Sequence, residues 1–305
     1  MNRITIGTRG SLLARWQAGH VAAALRRAHV GLEIEEKIIV TEGDRLTSGP
    51  LWSTGGKGVW VKEIEAALLA GEIDLAVHSM KDVPSELLAG LALVAVPARA
   101  DVRDAVVSHA GCGLDSLPRS ARVGTTSLRR ACQLKALRPD LVIEILRGNL
   151  DTRLRKVADG VVDAAILASA GLDRLGFAER IAERLPIERM LPAVGQGALA
   201  IEARSDDQRV SGICRVLDDT QAATAVAAER AFLARLGATC RTPVAGYARV
   251  ESGALTMFGL VGRPDGSELI ADRISGSAGD ARNLGIALAD ALLKRGAGAI
   301  LEANG

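Results

Sequence analysis

Residues 61–79 read VKEIEAALLAGEIDLAVHS, a helical pattern and then a strand pattern with a glycine between them. The first part repeats apolar residues at helical spacing and predicts a helix from Val61 to Ala70. The second part predicts a strand from Asp74 to Ser79. Another strand is predicted from Leu91 to Val96, and strands then alternate with helices through Ala168. Such alternation builds parallel sheets covered by helices, so the predicted fold class is α/β.

The residues before this stretch continue the same pattern. A strand is predicted from Ile4 to Gly7, and Ser11 then caps a helix with apolar residues at helical spacing. A half-exposed strand is predicted across residues 32–40. The segment from Thr41 to Gly58 is rich in glycine and long for a connection, and we predict a mobile lid without regular structure.

The pattern changes after Thr220. A helix is predicted as far as Leu236, followed by strands around residues 244–250 and 255–261, a Pro-Asp-Gly turn, a further strand and a helix near residues 281–295. This order predicts a small α+β C-terminal domain. The stretches 97–104 and 192–197 are predicted crossings between two α/β lobes, and the glycines of Gly195-Gln196-Gly197 in the second stretch permit hinge motion.

Composition excludes several classes of protein. The chain has 305 residues and 48% hydrophobic residues, and its 38 Lys and Arg nearly balance 36 Asp and Glu, which disfavours generic nucleic-acid binding. Aromatic residues at 2% leave little surface for base stacking, and no apolar run is long enough to span a membrane. The four cysteines form no C-x-x-C pair, so reduced thiols and a cytoplasmic location are expected, without a metal site.

Two tight groups of arginines point to an anion site. They lie in Ser127-Leu128-Arg129-Arg130 and in residues 147–155, each after a short apolar run. Guanidinium groups stay charged and bind carboxylates or phosphates bidentately. Either group alone is also typical of a solvated helix face. Asp82, at the end of another apolar run, adds a carboxylate to the predicted cationic pocket and favours chemistry over simple binding.

These groups share a position in the predicted sheets. Residues 8–9, 78–82, 124–130 and 147–149 all follow predicted strands, where open α/β sheets bind ligands. We therefore expect the four segments to face one crevice. Thr126, Ser127 and Asn149 also suit helix N-caps, where backbone amides favour anions.

Six segments, in this order, closely resemble the porphobilinogen deaminase family across nearly the full chain. They are Gly7-Thr8-Arg9-Gly10-Ser11, Gly55-Gly56-Lys57-Gly58, the run from Val77 to Pro84 that reads VHSMKDVP, the run from Gly124 to Arg130 that reads GTTSLRR, Arg147-Gly148-Asn149, and the run from Pro192 to Gly197 that reads PAVGQG. Because the segments are spread along the sequence, the resemblance does not depend on any single motif.

The resemblance implies a fold of two α/β lobes, like those of periplasmic binding proteins, with a hinge and a small α+β C-terminal domain. The first lobe would comprise residues 1–97 and 198–217, the second residues 103–192, and the third domain residues 220–305. It implies a cytoplasmic, monomeric transferase that joins four porphobilinogen molecules head to tail into hydroxymethylbilane and releases ammonia. A dipyrromethane cofactor would be attached to Cys240 through a thioether. No nucleic acid or membrane partner is implied.

The resemblance also implies roles for individual residues. Asp82 would stabilise positive charge on the azafulvene formed when ammonia leaves. The implied substrate-binding residues are Arg9, Ser11, Arg147, Arg153, Arg174 and Gln196. The implied cofactor contacts are Cys240, Lys81, Ser79, Asp82, Thr125, Ser127, Arg129, Arg130, Gly148 and Arg147, with Thr126 beside them. Departures from the family pattern are Leu12, Val59, Trp60, Val102, Ala238 and Thr239.

A second function remains open from the residues alone. Two α/β lobes with a hinge also describe solute receptors, which close on a small polycarboxylate without reacting. Asp82 and Cys240 distinguish the two functions, because a receptor for polycarboxylates gains nothing from a carboxylate in its site and carries no covalent adduct.

Overall fold

The computed structural model describes residues 3–45, 56–238 and 242–303. Cys240 and most of the predicted lid, residues 46–55, lie outside the described residues. The strands are β1 (Arg3–Thr8), β2 (Glu33–Ile38), β3 (Leu75–Ser79), β4 (Leu91–Ala95), β5 (Asp104–Ser108), β6 (Arg122–Gly124), β7 (Val142–Glu144), β8 (Ala164–Ala168), β9 (Glu183–Arg184), β10 (Leu199–Arg204), β11 (Val244–Glu251), β12 (Ala254–Gly262) and β13 (Leu269–Ser277). The helices are α1 (Leu12–Ala28), α2 (Glu42–Arg45), α3 (Lys62–Leu69), α4 (Leu128–Leu137), α5 (Leu150–Ala158), α6 (Ser169–Arg174), α7 (Gln208–Cys214), α8 (Thr220–Leu236), α9 (Ala281–Leu292) and α10 (Gly298–Glu302).

The chain divides into two compact units. The first contains the described residues 3–45, 57–100 and 198–223. Its five-stranded sheet has the order β2-β1-β3-β10-β4. β1 runs parallel to β2 and β3, whereas β10 is antiparallel to both of its neighbours. Ile4 and Ile6 of β1 pack with Val21 and Leu25 of α1, and this apolar contact fixes the helix on one face of the sheet.

The second unit contains residues 101–197, 224–238 and 242–303. Its five-stranded sheet has the order β7-β6-β8-β5-β9. β6 runs parallel to β7 and β8, and β5 is antiparallel to β8 and β9. The pattern of strand directions is therefore the same as in the first sheet. In each sheet the parallel strands end at a common edge, and the turns that follow them lie at that edge.

A smaller sheet in the second unit has the order β11-β12-β13 and is antiparallel throughout. α8 and α9 contribute Phe232 and Leu288 to its core. Gly259 is required there because a Cβ at this position would lie 2.8 Å from the Phe232 ring. The turn at Gly266 meets α4, where a Cβ would lie 2.6 Å from the carbonyl oxygen of Cys132.

The predicted α/β class is confirmed: the chain has two α/β lobes of the expected kind and a small C-terminal domain of one sheet and helices. The helix predicted at 61–70 and the strands predicted at 74–79 and 91–96 form within one residue of those limits. The prediction of a lid without regular structure is wrong at its ends, where Glu42–Arg45 form α2 and Gly56–Trp60 form a 3-10 turn. The three domain limits inferred from the sequence stay a prediction. Within the described residues, none of the helices has the length and apolar character needed to cross a membrane.

Candidate active site

A pocket in the first unit lies at the edge where β1 and β3 end. β1 and β3 are parallel neighbours, so Arg9, which follows β1, and Ser79 and Asp82, at the end of β3, reach the same edge. Ser11 is the N-cap of α1, and its hydroxyl accepts a hydrogen bond from the Ala14 amide at 3.3 Å. The residues lining the pocket are Arg9, Ser11, Leu13, Ala14, Gln17, Trp60, Val61, Val77, His78, Ser79 and Asp82.

Hydrogen bonds from a side chain and from the backbone place Ser79 and the turn that contains Asp82. The Gln17 side chain donates to the Ser79 hydroxyl at 2.9 Å, which fixes that hydroxyl against α1. Met80–Asp82 form a single 3-10 turn, and the Met80 amide donates to the Ala198 carbonyl at 3.0 Å. Lys81 lies in the same turn, so the first unit brings together the predicted residues Arg9, Ser11, Ser79, Lys81 and Asp82.

Arg9 has partners that the sequence did not predict. Its Nε donates to Asp44 at 3.1 Å, and its guanidinium carbon lies 4.1 Å from the centre of the Trp60 ring. Burial raises the pKa of Asp44, but hydrogen bonds from Arg9 and Thr41 outweigh burial and leave that pKa below its usual value. Gly43 is required beside this pair, because a Cβ there would lie 2.2 Å from the Trp60 ring. A substrate carboxylate at Arg9 would therefore have to compete with Asp44.

A buried group of titratable side chains lies behind the pocket. His78 Nε2 lies 3.0 Å from a carboxylate oxygen of Glu202 on β10. The other Glu202 carboxylate oxygen has no hydrogen-bond partner among the described residues. Burial and the Glu202 charge raise the pKa of Glu65 on α3, and His78 opposes that shift. None of these three side chains is more than 5% exposed.

In the second unit, two predicted arginines converge on one buried carboxylate. Arg129 and Arg130 lie in the first turn of α4, which Ser127 caps. Arg129 Nη1 donates to one Asp104 oxygen at 2.7 Å, and Arg130 Nη2 donates to the other oxygen at 2.7 Å. Gln196 Nε2 adds a hydrogen bond to Asp104 at 3.0 Å. We call this group the arginine cluster. It contains two cations and one anion and therefore carries one excess positive charge.

The charges in the arginine cluster respond to burial in opposite ways. Burial raises the pKa of Asp104, but Arg129 and Arg130 outweigh burial and hold that pKa well below its usual value. Burial lowers the pKa of Arg130, and Arg129 lowers it further while Asp104 opposes the shift. Arg129 Nε is buried and has no hydrogen-bond partner among the described residues. The cluster thus combines surplus positive charge with a buried donor.

The other predicted cationic residues follow neighbouring strands. Arg147 and Gly148 follow β7, and Arg174 ends α6, which follows β8. Gly148 has φ +110° and its carbonyl accepts from Arg153 Nε at 2.8 Å. Arg174 donates to the Gly197 carbonyl at 2.8 Å, and burial lowers the pKa of Arg174 to about 10, so this side chain stays charged near neutral pH. β6, β7 and β8 are parallel, so all of these segments leave the same sheet edge.

The structure thus groups the predicted residues at two sheet edges, one in each unit. Thr125 and Ser127 precede α4, with the Thr125 hydroxyl accepting from the Ser127 amide at 3.1 Å. Asn149 is the N-cap of α5, although its side chain makes no capping hydrogen bond. The prediction that all four segments face one crevice stays a prediction.

The sequence analysis missed two carboxylates, Asp44 and Asp104. Asp104 is the first residue of a buried strand, and an acid at such a position is a signal that it needs a buried cation. Asp44 lies in a short helix inside a glycine-rich segment and offers no comparable signal.

The sequence of this chain was compared with known protein families and with individual proteins. Residues 4–212 match the family described as "Porphobilinogen deaminase, dipyromethane cofactor binding domain", and residues 223–294 match its C-terminal domain. A porphobilinogen deaminase of Roseiflexus castenholzii is 51% identical over 300 residues, which cover 98% of this chain and 99% of the relative.

Solved structures show a weaker likeness. A periplasmic binding protein of Salmonella typhimurium with high arginine specificity has a TM-score of 0.42 at 12% identity, covering 70% of this chain and 91% of that protein. YhfZ from Shigella flexneri has a TM-score of 0.39 at 18% identity, covering 75% of this chain and 94% of that protein. These scores are too low to bear on function. From the sequence matches over nearly its whole length, the chain belongs to the porphobilinogen deaminase family.

Proposed function

We propose that the protein condenses four porphobilinogen molecules head to tail into the linear tetrapyrrole hydroxymethylbilane and releases ammonia. The observation that carries this function is the family match, which extends over both the cofactor-binding and the C-terminal regions. Each porphobilinogen brings an acetate and a propionate, so the product gains two negative charges at every addition. Fixed cations in a buried site can hold such a product between additions.

The described residues fit a dipyrromethane cofactor. The cofactor carries carboxylates, and the arginine cluster offers an excess positive charge and the buried Arg129 Nε donor. When bound, the dipyrromethane supplies the primer to which substrate units are added. We propose that it is held by Ser79, Lys81, Asp82, Thr125, Ser127, Arg129, Arg130, Arg147 and Gly148, and that substrate is bound by Arg9, Ser11, Arg147, Arg153, Arg174 and Gln196.

Cys240 is proposed as the attachment residue. Burial raises the pKa of Cys132 to about 12, and burial together with Asp207 raises the pKa of Cys214 to about 12. Both thiols are fully buried and stay protonated, so they are poor nucleophiles. Cys240 follows α8 by four residues and lies in the segment that resembles the cofactor loop of the family.

Asp82 is proposed as the catalytic carboxylate. It lines the pocket at the sheet edge, and a fixed negative charge there would stabilise the positive charge that the substrate develops as ammonia leaves. We also propose that the protein is a cytoplasmic monomer and that it has the three domains inferred from the sequence.

The test is to incubate the purified full chain with porphobilinogen and to assay a linear tetrapyrrole. Intact-mass measurement of the unfolded chain is expected to show one dipyrromethane adduct, because a thioether survives denaturation. Added porphobilinogen should then give heavier species in single-pyrrole steps. The Cys240→Ala variant should show neither adduct nor turnover, whereas Cys112→Ala, a change at another cysteine, should retain both.

Two other results would contradict these proposals. An active protein without an adduct, or an adduct that maps to another cysteine, would refute the attachment at Cys240. A protein that binds porphobilinogen and never converts it would instead support the non-catalytic binding protein, an alternative for which only a low-scoring fold likeness speaks.

A further inference from the structure

A buried carboxylate on α8 has no place in the function proposed above. Glu229 is fully buried, and its two oxygens accept hydrogen bonds from two backbone amides. The Gly195 amide donates at 2.6 Å, and the Ala248 amide donates at 2.8 Å. Burying a charge is costly unless charged hydrogen bonds offset the lost solvation. An apolar side chain would fill the same space with a smaller desolvation cost. We therefore expect Glu229 to hold the backbone that it binds in a defined position.

The backbone that Glu229 holds includes the loop Gly195-Gln196-Gly197. Its two glycines have φ +75° and +85°, values that glycine adopts easily and that leave the backbone loosely constrained by itself. Each residue of the loop is tied to a different element. The Gly195 amide binds Glu229, the Gln196 side chain donates to Asp104 at 3.0 Å, and the Gly197 carbonyl accepts from Arg174 at 2.8 Å.

This loop is thus the connection between α8 and the cationic residues. Gln196 also donates to the Val102 carbonyl at 2.8 Å, so its side chain is held at the start of β5, where Asp104 lies. Asp104 in turn pairs with Arg129 and Arg130. A shift of the loop would move the Gln196 amide away from Asp104, remove one of the hydrogen bonds to that carboxylate and loosen its pairing with the two arginines.

We infer that Glu229 is a positioning residue of the active site, which fixes the Gly195-Gln196-Gly197 loop and thereby holds Asp104, Arg129 and Arg130 in their paired arrangement. The inference rests on the proposed function for its catalytic consequence. It assigns Glu229 no contact with substrate or cofactor. α8 also leads to the segment that contains Cys240, so one helix precedes the proposed attachment residue and orients the proposed carboxylate-binding arginines.

The first test is Glu229→Gln in the full chain. The amide has almost the same shape, but its NH₂ group faces one of the two backbone amides and leaves that donor unpaired. Turnover per folded molecule should fall by at least about tenfold, the factor expected for one lost hydrogen bond to a charged group. The mass distribution of covalent intermediates should shift toward the early species, because the arginines hold the growing product less well.

A matched control separates positioning from simple destabilisation. Leu288→Ala removes a fully buried side chain of α9 from the core of the small sheet and should lower Tm while every hydrogen bond of the Gly195-Gln196-Gly197 loop is kept. Its turnover per folded molecule and its intermediates should stay like those of the unchanged protein. Should Glu229→Gln not fold, Glu229→Asp keeps the charge, reaches the two amides less well, and is measured in the same way.

A readout independent of turnover completes the test. Arg130 Nε donates to Asp104 at 3.0 Å, so the NMR signal of this Nε–H group reports on the arginine cluster. The signal should move in the Glu229 variant and remain in place in Leu288→Ala. If the signal, turnover and intermediates of the Glu229 variant all match those of the control, the inference is overturned. If the protein without substitutions neither carries an adduct nor converts porphobilinogen, the proposed function is refuted instead. The NMR signal of Arg130 still decides in that case whether Glu229 positions the arginine cluster.

Discussion

Asp82 and Asp104 lie at comparable edges of two similar sheets, and their surroundings suit them to different tasks. Asp104 is fully buried and accepts hydrogen bonds from two arginines and a glutamine, so its charge is already compensated. Asp82 is half-buried and lines an open pocket, which leaves its carboxylate accessible to a ligand. A residue that stabilises transient positive charge must be accessible in this way.

We expect Asp82→Asn to fold normally and to lose about 100-fold in turnover, since the amide keeps the shape and removes the negative charge. Turnover and Tm should be measured together. Glu86→Gln changes an exposed acid four residues away and should retain both values. Near-normal turnover of Asp82→Asn would remove this residue from its proposed role.

Glu65 should make stability depend on pH. Because the folded protein raises its pKa, ionised Glu65 costs more in the folded than in the unfolded chain. The cost is absent below the unfolded pKa and reaches its full size as pH rises past the folded pKa. Glu65→Gln should therefore have a higher Tm than the unchanged protein at about pH 8 and an equal Tm at about pH 4. The exposed Glu72→Gln serves as the control, and an identical Tm difference at both pH values would contradict the expectation.

At the scale of elements, α4 is unusual because its first turn carries two buried arginines. Their charges are tolerated because β5 begins with Asp104 beside them. Removing one partner from a buried ion pair leaves an uncompensated charge, which costs more than the loss of a surface pair. The start of β5 and the start of α4 therefore depend on each other for stability.

We expect Asp104→Asn to lower the free energy of unfolding by about 3–5 kcal/mol at neutral pH. The same change at Asp115, whose side chain is 70% exposed in its pair with Arg189, should cost far less because solvent screens that pair. Chemical denaturation of both variants measures the difference. Equal losses would mean that the buried position of Asp104 adds nothing to its contribution.

The accuracy of the sequence analysis also differs between elements. Helices and strands with a clear apolar period, such as α3 and β3, could be placed closely because their own residues determine which face is buried. α2 was missed because four residues carry too little periodicity to distinguish a helix from a loop. The pairing of Asp104 with Arg129 joins residues 25 positions apart, and such a contact depends on the folded topology.

The sequence predicted the functional residues more completely than it predicted the side-chain contacts of those residues. The arginines and Asp82 were identified because charged side chains followed apolar strands, and the family resemblance assigned their roles. Asp44, the partner of Arg9, and Glu229, which binds two backbone amides, gave no such signal. Glu229 in particular occupies one position in an ordinary helical pattern, and only the buried amides of Gly195 and Ala248 reveal what it binds.

At the scale of the whole molecule, both larger sheets place one antiparallel strand beside the parallel set. In the second sheet this strand is β5, the first of its five strands along the chain, and the whole sheet is built from residues 104–184. In the first sheet the corresponding strand is β10, which lies between β3 and β4 although it follows them by about 100 residues in sequence.

Because β10 lies between β3 and β4, the first sheet cannot be completed during synthesis until β10 has been made. The strands of the second sheet are all synthesised before β10. Until β10 is made, β3 lacks its partner on one side and β4 lacks its neighbour in the sheet, so apolar strand edges stay exposed. A chain that stops at residue 197 should therefore aggregate, whereas one that continues to residue 223 regains the missing strand and should scatter less light at equal concentration. Equal solubility of the two fragments would count against this order. We therefore expect the nascent protein to be most prone to aggregation in the interval between the synthesis of β4 and that of β10.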